Sequence, residues 1–525
     1  MAYGEPSGDP ERKKVQAKVD ALISDARQKR NERAVFINET YRLAKPHRRK
    51  VGQMPGVSPI LSSADIADIV DATLAETVHD FASDMIQQFT PESEYWVNFD
   101  VKETVPDEYL QEVKLRASQT QTMVFEAIQE STYFDAAPQC FQDLANGTMA
   151  ARGRRPKRGG DPYEVEAIDP CDLLICQSPG RGIADTRATE AKIKVAVFKE
   201  IYAAHGIQLP QRSTPWRDED EIVVIDGFYR CWENMRGAAA WRRFVTVDTK
   251  VVWETYFADD PDVDIIVSRW ETDGQSGWGV GPAFRAQPAQ RALNELTALM
   301  MVAAAKHVDP PFTYTDDGVA NFTDGFEAGD GIAVGETFEF NQLETRGQMD
   351  LSFFTEQNLR QVIRHALFQD KPEQVGKTPP TAEQWGSLEV RSRQRWEIPR
   401  GKIVREWVLP WVNWFQKGLE VEGKLGPDVY TVGKKLFKIL PNSPFAKARQ
   451  QEQVVRSREI LSTFAQFSPE TLPIDVDLAA TMRNVKSALN DELIVIRTDE
   501  ERVQAAQMMA QAQGGGAPGG GDAQT

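Results

Sequence analysis

The sequence is short of the residues from which most metal enzymes and secreted scaffolds are built. Four cysteines (Cys140, Cys171, Cys176, Cys231) and five histidines are scattered over 525 residues. So few cysteines cannot make a disulfide framework, and buried free thiols in a reducing compartment are expected. His47, His79, His205, His307 and His365 share no short spacing with one another or with Cys171 and Cys176. A zinc site needs paired ligands at short intervals, so none is expected. Long apolar runs are missing too. The longest charge-free one, Leu296 to Ala305, is about half of the ~20 residues that a bilayer-spanning helix needs. The N-terminus, Met-Ala-Tyr-Gly-Glu, has no apolar stretch of the kind that directs secretion.

Positive charge is in deficit. Lys and Arg number 61 against 78 Asp and Glu, a formal net charge of −17. Such a chain stays soluble and does not hold nucleic acid through a globally basic surface. What is present is aromatic bulk: 25 Phe, 12 Trp and 11 Tyr. That is ample core material and excludes a wholly disordered chain. Length alone suggests about three or four domain-sized units, or one large multi-part protomer.

The apparent catalytic motifs fail on chemistry. Gly376-Lys377-Thr378 ends like a phosphate loop, but Lys371 stands where its first glycine must turn, and Pro379-Pro380 blocks the helix that must follow. The glycines at 277, 279 and 281 lack the final spacing of a dinucleotide fingerprint and an acidic partner. Acidic turns such as Asp259–Asp264 are ordinary in an acidic protein. No catalytic, cofactor-binding or metal-binding residue is assigned, no cofactor is expected, and the chain is not read as an enzyme.

Periodicity divides the chain. Helices are expected up to residue 150: a polar, basic stretch over 11–45, a run opening at Ser63 and closing near Phe89-Thr90-Pro91, and two more over 107–130 and 134–146. A β-rich unit follows over 151–272, with strands at Tyr163–Ile168, Leu173–Cys176, Ile193–Phe198, Ile222–Tyr229, Arg243–Val247, Val251–Phe257 and Ile265–Arg269. It opens with a basic Gly/Pro-rich loop. Arg152, Arg154, Arg155, Lys157 and Arg158 are its possible nucleic-acid contacts, although a solvated loop accounts for them as well. The basic turn Lys45–Lys50 reads either as a contact for phosphate or for an acidic neighbour, or as a solvated turn.

From Pro282 the helical period returns and runs to Asp309-Pro310-Pro311. A Gly/Asp-rich segment with short strand-like pieces, Ile332–Val334 and Thr337–Phe340, precedes another helix over 351–368. After loop 369–380, a capping-box pattern starts a helix at Thr381. Trp407, Leu409, Trp411, Trp414 and Phe415 form an aromatic helix expected to be buried and bent at Pro410. A β-like piece over Lys434–Ile439 is followed by helices near 445–466, 476–489 and 498–513. The Gly-rich tail 514–525 reads as disordered.

The order of these pieces resembles the portal, or head-to-tail connector, of short-tailed double-stranded DNA bacteriophages. The resemblance rests on Trp278-Gly279-Val280-Gly281-Pro282 before a helix ending Val308-Asp309-Pro310-Pro311, and on Thr381-Ala382-Glu383 with Arg393 to Pro410. It rests also on the Gln-rich stretch Lys447 to Phe467, and on Leu493-Ile494-Val495-Ile496-Arg497-Thr498-Asp499-Glu500-Glu501 before a Gln/Ala tail. It is clearest from about 265 to 513.

The resemblance implies a mixed α/β, predominantly helical protomer assembling into a ring, usually of twelve copies, around a DNA channel. Residues 1–272 would be the wing, helical over 1–150 and β-rich over 151–272. Residues 273–307 would be the first stem helix with its lead-in, 308–350 the clip and 351–368 the second stem helix. Loop 369–380, carrying Lys371 and Lys377, would face the channel. Residues 381–444 would return to the wing, and 445–513 would form a helical crown. The implied partners are copies of itself, the passing DNA, the terminase large subunit, the major capsid and scaffolding proteins and a tail adaptor, with no membrane. The implied place is a virion vertex, after assembly in the host cytoplasm. Two alternatives stand beside it. One is another virion protein of the tail or internal head; the other is a nucleic-acid-processing enzyme, which would require the phosphate loop or carboxylate cluster that the sequence lacks.

Overall fold

The structure, a computed structural model, describes residues 10–46, 69–102, 105–156, 161–178, 182–202, 206–231, 240–257, 260–272, 277–315, 327–328, 330–334, 341–342, 349–369, 399–425, 437–441, 454, 456–462, 481 and 485. The chain divides into two units, Met1–Pro441 and Asn442–Thr525. In the second, residues 456–462 are helical, within the helix expected over 445–466. Most of the other late helices, the helix opening at Thr381 and the Gly-rich tail lie outside the described residues.

In the first unit, α1 (Pro10–Ala44) and α2 (Thr73–Phe89) are followed by a short strand, β1 (Val97–Val101). Helices α3 (Asp107–Glu130) and α4 (Tyr133–Asn146) come next. Two corrections belong here. The run expected from Ser63 to Phe89 is not one continuous helix: residues 69–72 are non-helical and α2 starts at Thr73, while residues 63–68 lie outside the described residues. The Asp71 carboxylate accepts the Thr73 N–H at 2.8 Å, a local bond that competes with continuing the helix backward. The N-terminal region is also not wholly helical, since β1 pairs antiparallel with β15 (Phe437–Pro441). Its partner lies about 340 residues away, beyond the reach of any local pattern.

Strand β2 (Thr148–Arg154) sits between β3 (Glu164–Ala167) and β9 (Ile265–Arg269). Arg152 and Arg154 are therefore strand residues, not loop residues. Their backbones pair with Glu166 and Ile265, and with Glu164. A second sheet is an antiparallel meander of β4 (Leu173–Cys176), β5 (Thr186–Lys194), β6 (Glu221–Cys231), β7 (Ala240–Val247) and β8 (Lys250–Phe257). The β7–β8 turn puts Asp248 and Thr249 at φ of 45° and 75°, the left-handed geometry that two-residue hairpins require.

The meander is buried on both sides. Val19, Ile23 and Ala26 of α1 pack on Leu174, Ala188, Ile225 and Phe244. On the other side Phe198 and Tyr202 of α5 (Val195–Tyr202) cover Val224, Val245 and Val247. The strand expected over Ile193–Phe198 is thus half wrong. The chain is strand to Lys194 and helix from Val195, and the β-branched, apolar run Val195–Phe198 concealed the change.

A hairpin of β10 (Glu271–Thr272) and β11 (Gly279–Val280) leads into α6 (Pro282–Val308). A small sheet of β12 (Phe312–Thr315), β13 (Gly331–Val334) and β14 (Asn341–Gln342) separates it from α7 (Met349–Ala366). Both helices and the Ile332–Val334 piece fall where expected; Thr337–Phe340 lies outside the described residues. The aromatic helix is buried as expected. Val404–Val408 is a π-helical turn and α8 (Leu409–Val421) follows it. Pro410 has no N–H for the Glu406 carbonyl, and the Leu409 N–H bonds five residues back to Val404. Trp407, Trp411, Trp414 and Phe415 are all inaccessible to solvent. Trp411 stacks edge-on against Tyr133, and the Trp407 indole N–H donates to the Tyr133 hydroxyl at 2.8 Å.

Candidate assembly site at the helix pair

The lead-in to α6 is made by glycines in close contact. Gly147 ends α4 at φ 128°, and its carbonyl accepts the Trp270 N–H at 2.9 Å. The Gly279 N–H donates to the Thr148 hydroxyl at 2.8 Å. A β-carbon on Gly281 would lie 2.1 Å from the Ala145 carbonyl oxygen. The glycines noted in the sequence therefore serve backbone-to-backbone packing, and Pro282 opens the helix.

Beneath the lead-in, Arg269 is almost wholly buried and held from four sides. Its guanidinium donates to both Glu406 oxygens (3.2 and 2.6 Å), to the Gln177 side chain, and to the carbonyls of Gly277 (3.4 Å) and Gly182 (3.1 Å). Glu406 lies on the π-turn, so the irregular turn and the α6 lead-in share one buried ion pair.

The two helices run antiparallel. The residue that starts β12, Phe312, pairs with Gln342 just before α7. At the other end Phe368, past the end of α7, packs its ring 5.7 Å from Trp270, which precedes α6. Asp71 pins the pair to the body. Its N–H donates to Asn294 (3.0 Å), its carbonyl accepts from Gln290 (2.9 Å), and its carboxylate accepts from Arg360 of α7 (2.9 Å). Burial pushes the Asp71 carboxyl up. Hydrogen bonds from Thr73, Arg360 and Gln290 outweigh that and hold it below the usual range. Sequence reasoning missed Asp71. The available signal was Gln290 and Asn294, two polar residues four apart among the buried residues of α6.

Beyond Asn294 the helix stands clear. Leu299, Met301, Val302 and Val308 of α6 and Val362 of α7 are exposed, from 52 % (Val362) to 86 % (Val308).

The cations singled out in the sequence lie elsewhere. Arg152 and Arg243 both bind Asp226, the latter at 3.0 and 2.8 Å, and Tyr202 donates to it at 3.0 Å. Burial raises the Asp226 carboxyl, but the two guanidinium groups overcome this and hold it well below the ordinary range. Arg154 meets Glu166 at 3.0 Å, and Arg155 meets Asp262 at 3.5 Å and the Pro261 carbonyl. These residues line a cleft of about 1060 Å³, whose charged floor is compensated within the chain. Lys157, Arg158, Lys371 and Lys377 lie outside the described residues.

Among the described residues no group of His, Cys, Asp and Glu is placed to hold a metal ion, and no helix is long and apolar enough to cross a membrane. The Cys176 thiol donates to Asp25 at 2.7 Å. Burial and that bond push it up to about 11, so it is not a poised nucleophile.

Residues 16–492 match the family described as bacteriophage head to tail connecting protein. Among solved structures, the neck of an empty GTA particle is similar at 11 % identity and a TM-score of 0.31, over 78 % of this chain and 91 % of that one. No curated protein matches. With the family covering most of its length, the chain belongs to the bacteriophage head to tail connecting proteins.

Proposed function

We propose that this protein is the portal of a bacteriophage: a ring of twelve copies at one capsid vertex that passes double-stranded DNA and docks the terminase and the tail. The observation that carries this reading is the antiparallel pair α6 and α7. It is pinned to the body at one end, clear of it at the other, and joined by a small sheet, in a chain of the connector family. In this reading the pair is the stem, residues 308–350 are the clip, and the β-rich unit belongs to the wing. The pairing of β15 with β1 agrees with a return of residues 381–444 to the wing.

Loop 369–380 would face the channel, with Lys371 and Lys377 balanced by Asp370 and Glu373. A lining of low net charge suits a conduit, since every neutralised phosphate adds affinity that would slow the duplex. The role is structural and the protein resides in the virion.

The test is the mass of the purified protein by size exclusion with light scattering, alone and with its capsid and scaffolding partners. Twelve copies of 58.9 kDa give 12 × 58.9 ≈ 707 kDa, and negative stain should show rings. A monomer or dimer under both conditions refutes the reading.

A further inference from the structure

Where α1 crosses the end of β4, three polar groups from two elements meet. Asp25 and Lys29, one helical turn apart, form an ion pair at 3.1 Å. The sulfur of Cys176, the last residue of β4, closes a triangle with them. Its thiol donates to the Asp25 carboxylate at 2.7 Å, and the Lys29 ammonium donates to the sulfur at 3.2 Å. Cys176 is 5 % exposed and belongs to the apolar cluster of Val19, Ile23 and Ala26. A cysteine that serves only as a small apolar filler needs neither a carboxylate nor an amine on its sulfur.

The triangle contains the parts of an oxidative coupling: an oxidisable sulfur, a carboxylate to take its proton, and an amine to attack it. The Lys29 nitrogen already stands at the ~3–3.5 Å from which a reacting pair closes. The cluster lies at the edge of the helix–sheet seam, with the Lys29 and Asp25 side chains 22 % and 46 % exposed, so a small oxidant reaches it from solvent. The neighbouring ties of α1 to the meander are non-covalent: Arg27 and Arg30 both reach Glu190 of β5, at 2.6 and 3.3 Å.

We propose that Cys176 and Lys29 form an oxidative cross-linking site, at which a peroxide joins α1 to β4 through a covalent Sγ–Nζ bond. Asp25 takes the thiol proton, and the sulfur attacks one peroxide oxygen. The S–O bond forms, the O–O bond breaks, and the hydroxide that leaves takes a proton from the Lys29 ammonium and departs as water. The neutral amine then attacks the sulfenyl sulfur. The S–N bond forms, the S–O bond breaks, and the hydroxyl leaves as water with the proton held by Asp25. The new nitrogen gives one proton to solvent, leaving a sulfenamide. Sulfur loses two electrons and the peroxide gains them. Thiolate is scarce here because the thiol is held high, so coupling is slow and answers to sustained oxidation. The bond spans 147 residues of chain and acts on the unfolded state as a disulfide of that span does. The chemistry does not depend on the portal reading.

The test is to hold the full chain in excess hydrogen peroxide, alongside K29R and C176S, and to map the peptides by mass spectrometry. K29R keeps a positive charge beside Asp25 and removes the amine. Wild type should yield the Lys29 peptide joined to the Cys176 peptide, two hydrogens lighter than their sum. Both variants should lack the pair, and a thiol reductant should release it from wild type. The melting temperature of wild type should rise with peroxide and fall back with reductant, while K29R shows no such reversible rise. Cys176 found only as thiol, sulfinic or sulfonic acid, with Lys29 unmodified, would overturn the proposal. So would a linked pair that retains an oxygen. Lysine adducts formed in equal yield by the other buried thiols, Cys140, Cys171 and Cys231, would overturn it too, since the triangle would then direct nothing.

Discussion

Gly279 packs its backbone on Gly147 so closely that a β-carbon on Gly279 would stand 2.0 Å from the Gly147 carbonyl oxygen. Neither partner can retreat. Gly147 is fixed at φ 128° as the cap of α4, and its carbonyl already accepts the Trp270 N–H. The conflict is between backbones, so no side-chain rotation relieves it. Gly279→Ala is expected to destabilise the chain by at least the ~1–3 kcal/mol typical of overpacking. Gly279→Val should do more and impair ring assembly, because the start of α6 is displaced. Chemical denaturation measures the first effect and light scattering the second; normal assembly of the valine variant would show that the lead-in does not position the helix pair.

The Asp226 cluster makes a prediction about which arginines matter. Asp226→Ala leaves Arg152 and Arg243 in the interior without their shared carboxylate. Breaking a buried pair from one side costs on the order of 3–5 kcal/mol. Arg154, half exposed and paired only with surface glutamates, should tolerate alanine within about 0.5 kcal/mol. Thermal melts of the two variants decide it. Equal losses would mean that Arg154 has a role its surroundings do not explain.

These cases mark what a sequence can and cannot show. Strands β4 and β9 are apolar runs bounded by turn residues, and α6 opens on Pro282 and stops before Pro310; each carries its own local signal and falls where expected. Arg152 and Arg154 carry none. Their Gly- and Pro-rich neighbourhood suggests a loop; pairing with β3 makes both of them strand, and Arg152 pairs also with β9, more than a hundred residues later. Pro410 announces a bend, but not that the bend is a π-turn placing Glu406 on Arg269. The helix pair was legible from periodicity. The residue that pins it was not, because Asp71 contributes its backbone as much as its side chain, and a backbone bond leaves no trace in residue type.

Phe368 gives a test in which the usual order of substitutions reverses. It follows α7 at φ 65°, a left-handed position that costs a bulky residue about 1–2 kcal/mol. Its ring on Trp270 holds it there. Phe368→Ala removes the ring and keeps the strain; Phe368→Gly removes both. In an ordinary helical position alanine is better than glycine by about 1 kcal/mol. Here the glycine variant should melt higher than the alanine variant, both below wild type. If alanine melts higher, the left-handed conformation is not what the chain adopts.

Asp71 sets the acid response of the helix pair. Its carboxyl is held below the ordinary value, so the folded state binds this proton more weakly than the unfolded one. The stability it contributes is therefore complete above the unfolded value, about pH 4, and is lost as the pH falls below that toward the depressed folded value. Replacing it with asparagine removes the ion pair to Arg360 while keeping an oxygen for the Thr73 N–H. The variant should be less stable than wild type at pH 7, by an amount on the order of 1–3 kcal/mol for a buried hydrogen-bonded charge. The gap should narrow as the pH is lowered from about 4 to about 2, because wild type loses by protonation what the variant has already lost. Thermal midpoints of both proteins across that range check it. A gap that stays constant with pH would mean that the negative charge of Asp71 is not what the asparagine variant lacks, and that its ion pair with Arg360 does not set the acid response.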